Sequence, residues 1–244
     1  MPTWDEFAWA AFLYGAIGGD RDYQGLMSQT QFLNSLMTNP MKLQVNQIQQ
    51  QLIKGFFNRW KCRVQNTPQS AGSIQTTLQN LLPYLQVLDN FTIKNLHFTQ
   101  MVNVNNNQMK VRQVIEHSYT KVRSIGYRFA ATATSKLLHI LQPELFVMWD
   151  KDILNHYKQI NSQVSDSGQG YYVYLEIMQQ VATQVNQSFQ NATLNPPAGA
   201  NQNPAVYLST QMNYNPPKTL AKYLDEYNWV TITNGVQVPP SWHP

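Results

Sequence analysis

Apolar residues recur at helical spacing along most of this chain. Val45, Ile48, Leu52 and Phe56 lie three to four residues apart, which predicts a helix over residues 42–61. The same spacing predicts further helices with apolar stripes that begin at Phe7, Leu78, Val111, Phe129, Ile153 and Met178. We therefore predict an all-α fold, with residues 1–244 as a single compact unit.

Three segments interrupt the helical pattern. Trp229 to Thr233 alternates in the manner of a β-strand, and it is the only convincing strand signal in the chain. Residues 186–217 are rich in Asn, Gln and Pro, which predicts a long loop. Pro83 lies inside the Leu78 stripe and predicts a kink or a restart of that helix.

Amides and an uneven basic charge mark the composition. Gln and Asn together make up 51 of the 244 residues, whereas only 12% of residues are charged. The net charge is +4, and the segment from Lys110 to Lys136 holds six basic residues against the single acid Glu116. A second basic group occupies residues 54–63. This clustering indicates a polyanionic partner.

Cysteine and histidine usage predicts a protein without metal or cofactor. Cys62 is the only cysteine, so one chain cannot form a disulfide or a cysteine-based metal cluster. The five histidines show no metal-ligand spacing. The apolar start, Phe7 to Ile17, is too short to cross a bilayer and follows acidic residues. We expect a cytoplasmic protein that has no membrane partner and acts as a monomer.

A basic turn between two predicted helices carries the first functional signal. Gly126 can adopt positive φ, and it lies between Arg123 and Arg128. A turn of this kind can present backbone N–H groups to phosphate, and the hydroxyls of Thr132, Thr134 and Ser135 follow it. The alternative is an ordinary corner between helices with solvated arginines.

A lone carboxylate follows an apolar run. Residues 145–149 (Leu-Phe-Val-Met-Trp) lead to Asp150, which is placed to begin a helix. Asp is one of the strongest N-cap residues, so Asp150 has a structural role in either case. Asp152 suits the first turn of that helix, and His156 is a candidate for a supporting position.

Residues 125–139 and 145–153 together resemble the helix–hairpin–helix region of the DNA glycosylase superfamily, over roughly residues 108–160. In that superfamily a glycine-containing hairpin precedes a Thr-Ala pair, and an apolar run then ends in a catalytic aspartate. The resemblance implies a two-lobed helical architecture and assigns the catalytic carboxylate to Asp150. The bifunctional members carry a lysine nucleophile at the position of Ala131, so strand cleavage by β-elimination is not expected. The hairpin also has one glycine where the superfamily usually has two.

The resemblance implies roles for further residues. The expected DNA contacts are Arg123, Gly126, Tyr127, Arg128, Thr132, Lys136 and Lys151. Trp149, Trp60 and Phe56 are candidates for the wall of a pocket for a flipped base, although a place in the core is the alternative for Trp60 and Phe56.

We therefore predict a monofunctional DNA glycosylase that flips a modified base out of duplex DNA and hydrolyses its N-glycosidic bond. Divergence from repair enzymes and the abundance of amides favour a bulky base, such as a glycosylated hydroxymethylpyrimidine in phage DNA, and hence a role in phage defence. The alternative substrate is an ordinary alkylated, oxidised or deaminated base, with a role in repair. One alternative is a non-catalytic helix–hairpin–helix module that only binds DNA. Another is an all-α protein-interaction domain.

Overall fold

The computed structural model describes residues 1–192 and 203–239, and helices dominate it. The first half contains α1 (Trp4–Ala16), α2 (Arg21–Met27), α3 (Thr30–Thr38), a 3-10 helix (Pro40–Lys42), α4 (Val45–Gln47, continued by a π-helix over Ile48–Asn58) and α5 (Pro68–Gln86). The second half contains β1 (Met101–Val104), β2 (Asn107–Lys110), α6 (Val111–Arg123), α7 (Ala131–Leu141), α8 (Lys151–Ile160), α9 (Gly168–Asn191), α10 (Pro204–Gln211) and α11 (Leu220–Asn228, continued by a π-helix over Trp229–Thr233). The all-α prediction is confirmed.

Helix α6 occupies the centre of the packing. It contacts α5, α7 and α9, and its apolar stripe of Val111, Val114, Ile115, Tyr119 and Val122 is fully buried. Buried side chains from α1 through α11 join this stripe in one continuous hydrophobic cluster. Burial of apolar surface on this scale is the main favourable contribution to folding.

An irregular loop crosses the core between α7 and α8. All five residues from Leu145 to Trp149 have no exposed surface. Buried carbonyl groups need hydrogen-bond partners, and without a helix or sheet the partners must be side chains. His139 Nδ1 donates a hydrogen bond to the Phe146 carbonyl at 2.6 Å, and the Ser135 hydroxyl donates to the Trp149 carbonyl at 3.1 Å. The Tyr171 hydroxyl donates to the Val147 carbonyl at 2.8 Å, and the Tyr174 hydroxyl donates to the Met148 carbonyl at 3.0 Å. Four successive carbonyls are thus bonded by side chains of α7 and α9.

A buried ion cluster joins the two ends of the described chain. Lys218 lies 2.8 Å from Asp20 and 2.8 Å from Glu226. Lys222 lies 2.9 Å from Asp225 and 3.1 Å from Glu226. Charges in the interior are tolerated only when they are paired and hydrogen-bonded, so these contacts fix α11 against the turn between α1 and α2.

The strand prediction for Trp229 to Thr233 is wrong. This segment continues α11 as a helix, because the chain has no proline or glycine before Gly235 to end it. Val230 is fully buried and packs with Ala10 and Tyr14 of α1. The two-stranded sheet that does exist, β1 and β2, turns at Asn105 and Asn106, which both have positive φ, as this type of turn requires.

Two loop or break predictions also need correction. Within residues 186–217, α9 continues to Asn191 and α10 occupies Pro204–Gln211, while residues 193–202 lie outside the described residues. Asn203 caps α10 and Pro204 takes its first position, so residues typical of loops here begin a helix. Helix α5 runs through Pro83 without interruption. The predicted helix over residues 42–61 is shorter, Val45 to Asn58.

Because His139 is buried, we predict that the free energy of unfolding falls in acid. Burial lowers the pKa of His139 from 6.5 to about 3, so the folded protein holds a neutral imidazole that the unfolded chain protonates near pH 6.5. Folding stability should therefore fall as the pH drops below 6.5, by about 2 kcal/mol at pH 5. In His139→Gln, which cannot be protonated, urea unfolding at pH 7 and pH 5 should show this part of the pH dependence removed. His156→Gln, at an exposed position, should keep the wild-type dependence. An unchanged dependence in His139→Gln would contradict the prediction.

Candidate active site

The predicted hairpin between α6 and α7 exists, and its backbone is unusual. Gly126, Tyr127 and Arg128 are exposed and have φ values of 81°, 51° and 62°. Within the described part of the chain, their amide N–H groups donate to no acceptor. Helix α7 then begins after Ala130, which has no side chain able to cap it. Unbonded amides and an uncapped helix N-terminus together provide the groups that bind phosphate.

Arg123 forms contacts within the protein. Its Nε lies 3.0 Å from Asp166 Oδ2, and one terminal nitrogen donates to the Phe129 carbonyl at 2.9 Å. Tyr119 also donates to Asp166, at 2.8 Å. These contacts use Nε and one terminal nitrogen, so Arg123 supports the shape of the hairpin, while its partly exposed side chain leaves the predicted DNA contact a prediction. Arg128 is the exposed arginine of the turn.

The second basic segment lies beside the hairpin. The backbone N–H of Gln65 donates a hydrogen bond to the backbone carbonyl of Tyr127 at 3.0 Å, and this bond joins the two loops. Lys61 and Arg63 are exposed in this segment, whereas Arg59 forms an ion pair of 2.8 Å with Asp22. Part of each basic group thus lies in these two joined loops, and we call the exposed residues Lys61, Arg63, Tyr127 and Arg128 the basic surface.

Asp150 begins α8 as its N-cap. Its Oδ1 accepts hydrogen bonds from the backbone amides of Asp152 and Ile153, both at 2.9 Å. Its Oδ2 accepts from the Thr233 hydroxyl at 2.8 Å. These bonds hold the half-buried carboxylate in one orientation.

A cavity of about 560 Å³ opens in front of Asp150. It lies where the first turns of α7 and α8 meet the end of α11, the turn between α1 and α2, and the loop after α4. Its wall includes Trp60, Thr132, Lys136, Lys151 and Asp150. With Trp149, which also lines the cavity, the structure brings together six residues that the sequence analysis had assigned separately to DNA, base or catalysis.

Lys136 faces this cavity and does not extend into the basic surface. It is 8% exposed, and its ammonium lies 4.5 Å from the centroid of the Trp60 ring and 3.4 Å from the Trp60 carbonyl. Its position is therefore wrong for the predicted contact with backbone phosphate. Lys151 is exposed at the edge of the cavity, where the predicted contact remains open to it.

Two of the three aromatic candidates belong to the core. Trp149 has no exposed surface and packs edge-on against Tyr119 and Tyr171, so its ring cannot stack on a base. Phe56 is fully buried and does not line the cavity. Trp149 and Trp60 both line the cavity, and Trp60 is the one of the two with exposed surface there.

Three further assignments change with the structure. The Thr134 hydroxyl donates to the Ala130 carbonyl at 3.0 Å, and Ser135 bonds to Trp149, so neither hydroxyl is available to phosphate. His156 lines a separate groove with Ile160 and has no place in the wall around Asp150.

Sequence reasoning missed the C-terminal wall of the cavity. Asp225, Trp229, Thr233 and Asn234 all line it. The strand interpretation concealed these residues, because it separated residues 229–233 from the helix that contains Asp225. The four-residue spacing of Asp225, Trp229 and Thr233 was the signal that could have revealed them.

The described residues contain neither a grouped set of metal ligands nor a membrane-spanning helix. Among the described residues, no three His, Cys, Asp or Glu side chains are grouped so that they could hold a metal ion. No helix in residues 1–192 and 203–239 combines the length and the apolar character needed to cross a bilayer.

Ser135 should matter to stability because it holds the residue before Asp150. Its hydroxyl donates to the Trp149 carbonyl and accepts from the Trp149 amide, both at 3.1 Å. Ser135→Ala leaves two buried backbone groups without their partner, and we expect the free energy of unfolding to fall by about 1–3 kcal/mol in urea titrations. Ser124→Ala, which removes an exposed hydroxyl bonded to Lys121, is the matched control and should change it far less. Equal losses in the two variants would count against this role.

Comparison with known proteins identifies no relative. No family model, no curated protein and no solved structure matches this chain significantly.

Proposed function

We propose that this protein is a monofunctional DNA glycosylase of the helix–hairpin–helix type, which hydrolyses the N-glycosidic bond of a modified base. One observation carries the proposal. The carboxylate of Asp150 lines a cavity together with an aromatic ring, Trp60, and this cavity adjoins an uncapped helix N-terminus beside an exposed basic surface. A carboxylate, a stacking ring and a phosphate site are the three elements that base excision requires.

Asp150 would act on the deoxyribose. Breakage of the N-glycosidic bond leaves positive charge on the sugar, and a fixed carboxylate close to that carbon lowers the barrier. The amides of Asp152 and Ile153 and the Thr233 hydroxyl orient Asp150 before the substrate arrives. Such preorganisation is the main source of electrostatic catalysis, since no rearrangement is needed in the transition state. Asp150 can also accept the proton of the attacking water.

The hairpin would bind the DNA backbone next to the flipped nucleotide. The amides of Gly126, Tyr127 and Arg128 are exposed and unbonded within the described chain, and the Arg128 side chain adds a charge. Contacts of this kind fix the register of the protein on the duplex without reading its sequence. Lys61 and Arg63 extend the same basic surface.

The absence of a lysine at Ala131 supports a monofunctional mechanism. By resemblance, Ala131 occupies the position of the Schiff-base lysine in bifunctional glycosylases. Lys136 is the lysine of α7, but its ammonium is directed to the ring and carbonyl of Trp60. Water is then the nucleophile, and the product is an intact strand with an abasic site.

The size of the cavity supports a bulky substrate base. Pockets of about 300–1,000 Å³ hold ligands of drug size, and a volume of about 560 Å³ lies within that range. A base that carries a large substituent, such as a glycosylated hydroxymethylpyrimidine, uses this space better than an unmodified base. Phage genomes contain bases of this class, so we extend the proposal to a role in phage defence.

Asp150→Asn tests the chemistry. Asparagine caps a helix about as well as aspartate, so the fold should survive while the charge is lost. On a panel of duplexes with alkylated, oxidised, deaminated, hydroxymethylated and glucosylated bases, we expect base release to fall by about 10²–10³-fold. Asp152→Asn, which removes the neighbouring carboxylate of the cavity wall, is the matched control and should retain release.

The readout of this experiment is the free base together with strand breaks that appear only after alkali treatment. Breaks without alkali would contradict the monofunctional mechanism. Release that persists in Asp150→Asn would overturn the choice of residue. Tight DNA binding without release on any substrate would favour a non-catalytic binding module.

Salt dependence tests the hairpin. Each phosphate contact that is lost should reduce the slope of log K against log [salt] by about one. We therefore expect Arg128→Ala to weaken duplex binding and to lower the slope by about one. Lys158→Ala, in the last turn of α8, should leave the slope unchanged. A slope close to zero for the wild type would contradict phosphate binding altogether.

A further inference from the structure

Asp225 is a second buried carboxylate on the cavity wall, and the mechanism above does not use it. It lies on α11 and is only 6% exposed. Its Oδ2 accepts a hydrogen bond from Lys222 Nζ at 2.9 Å. Its Oδ1 accepts no hydrogen bond from any described residue and is not among the fully enclosed side-chain oxygens, so it is open to the cavity that Asp225 lines. A carboxylate oxygen that is open to a cavity, on a side chain otherwise buried, can accept a hydrogen bond from a ligand group.

Lys222 determines the chemical character of this oxygen. The lysine is fully buried between Asp225 and Glu226, so its ammonium cannot turn into the cavity. Burial raises the pKa of Asp225 above its usual 3.8, and the bonded ammonium acts in the opposite direction. An ion pair of this geometry keeps Asp225 as a carboxylate, and a carboxylate can only accept hydrogen bonds.

The surroundings of Asp225 fit a planar base. Trp60 and Trp229 line the same cavity and provide aromatic surface, while Asp150 lies on another part of its wall. Asp150 has both oxygens bonded to protein donors. Asp22 pairs with Arg59, and Asp152 is exposed to solvent, so Asp225 is the buried carboxylate of this wall with an oxygen that no described residue binds.

We propose that Asp225 selects the flipped base by accepting a hydrogen bond from its exocyclic amine, so that the substrate class is an amino-bearing base of the cytosine type. This inference rests on the proposed glycosylase function. An exocyclic amine offers an N–H at the edge of the ring, and carboxylates accept from cytosine N4 in this way. A uracil-type base has a carbonyl oxygen at that position, which the carboxylate repels. Its ring N–H lies between two carbonyl oxygens and approaches the carboxylate poorly.

The test compares two probes that differ at that position. Each is a duplex with one 2′-fluoroarabino nucleotide, which resists cleavage, carrying 5-hydroxymethylcytosine or 5-hydroxymethyluracil. An abasic-site analogue lies opposite the base, so neither probe gains from base pairing and both flip with equal ease. We expect wild-type protein to bind the cytosine probe about tenfold or more tightly than the uracil probe.

Asp225→Asn should reduce this ratio to near one, because its amide can turn to donate to the uracil carbonyl. Asp152→Asn is the matched control and should keep the wild-type ratio. A wild-type ratio near one, a preference for uracil, an absence of binding to both probes, or a ratio that persists in Asp225→Asn overturns the inference. If Asp225→Asn does not fold, the wild-type ratio alone decides.

The same duplexes with ordinary deoxyribose separate this inference from the function on which it rests. Base release from either one supports a glycosylase, whatever the binding ratio. A ratio near one together with base release overturns the role of Asp225 alone. A strong preference for the cytosine probe without release supports the reading of the base and counts against excision.

Discussion

Burying an irregular loop imposes the constraint on which this structure depends. The backbone from Phe146 to Trp149 has neither a helix nor a sheet to bind its carbonyl groups, yet it has no contact with water. Four side chains, from α7 and α9, take that place. An unbonded carbonyl in such a position costs roughly as much as a lost hydrogen bond, so any other path of the loop is strongly disfavoured. The position of Asp150 follows from the packing of two helices that contribute no catalytic group.

The buried ion cluster positions the opposite wall of the cavity, which α11 forms. Lys218 and Lys222 bind three carboxylates between them, and Tyr214 donates a further hydrogen bond to Asp20. Replacement of such a cluster by apolar residues often leaves stability unchanged or improved, so stability alone does not explain it. Its geometry holds α11, and with it Trp229 and Thr233, against the cavity.

The sequence was a good guide where the structure depends on local rules. Helical spacing predicted the all-α fold, and Asp150 is the N-cap that its residue type suggested. Gly126 has the positive φ expected of its turn.

Local pattern did not separate Trp149 from Trp60, since both are large aromatics near basic residues. Trp149 belongs to the core because its ring packs against three tyrosines and its indole N–H donates to the Ala131 carbonyl. Likewise, the partner of Arg123 lies 43 residues away, beyond any spacing rule.

The ion pair between Asp20 and Lys218 has a consequence for how the molecule folds. The two residues are 198 positions apart in the chain, and both sides of the cavity depend on their meeting. Contacts of such high sequence separation close large loops and form slowly, after local helices have already appeared. Local contacts are therefore enough to form α7, α8 and the helix cap at Asp150, but they are not enough to form the cavity. Asp150 becomes part of a cavity wall only where segments from distant parts of the chain, such as those of Asp20 and Lys218, meet.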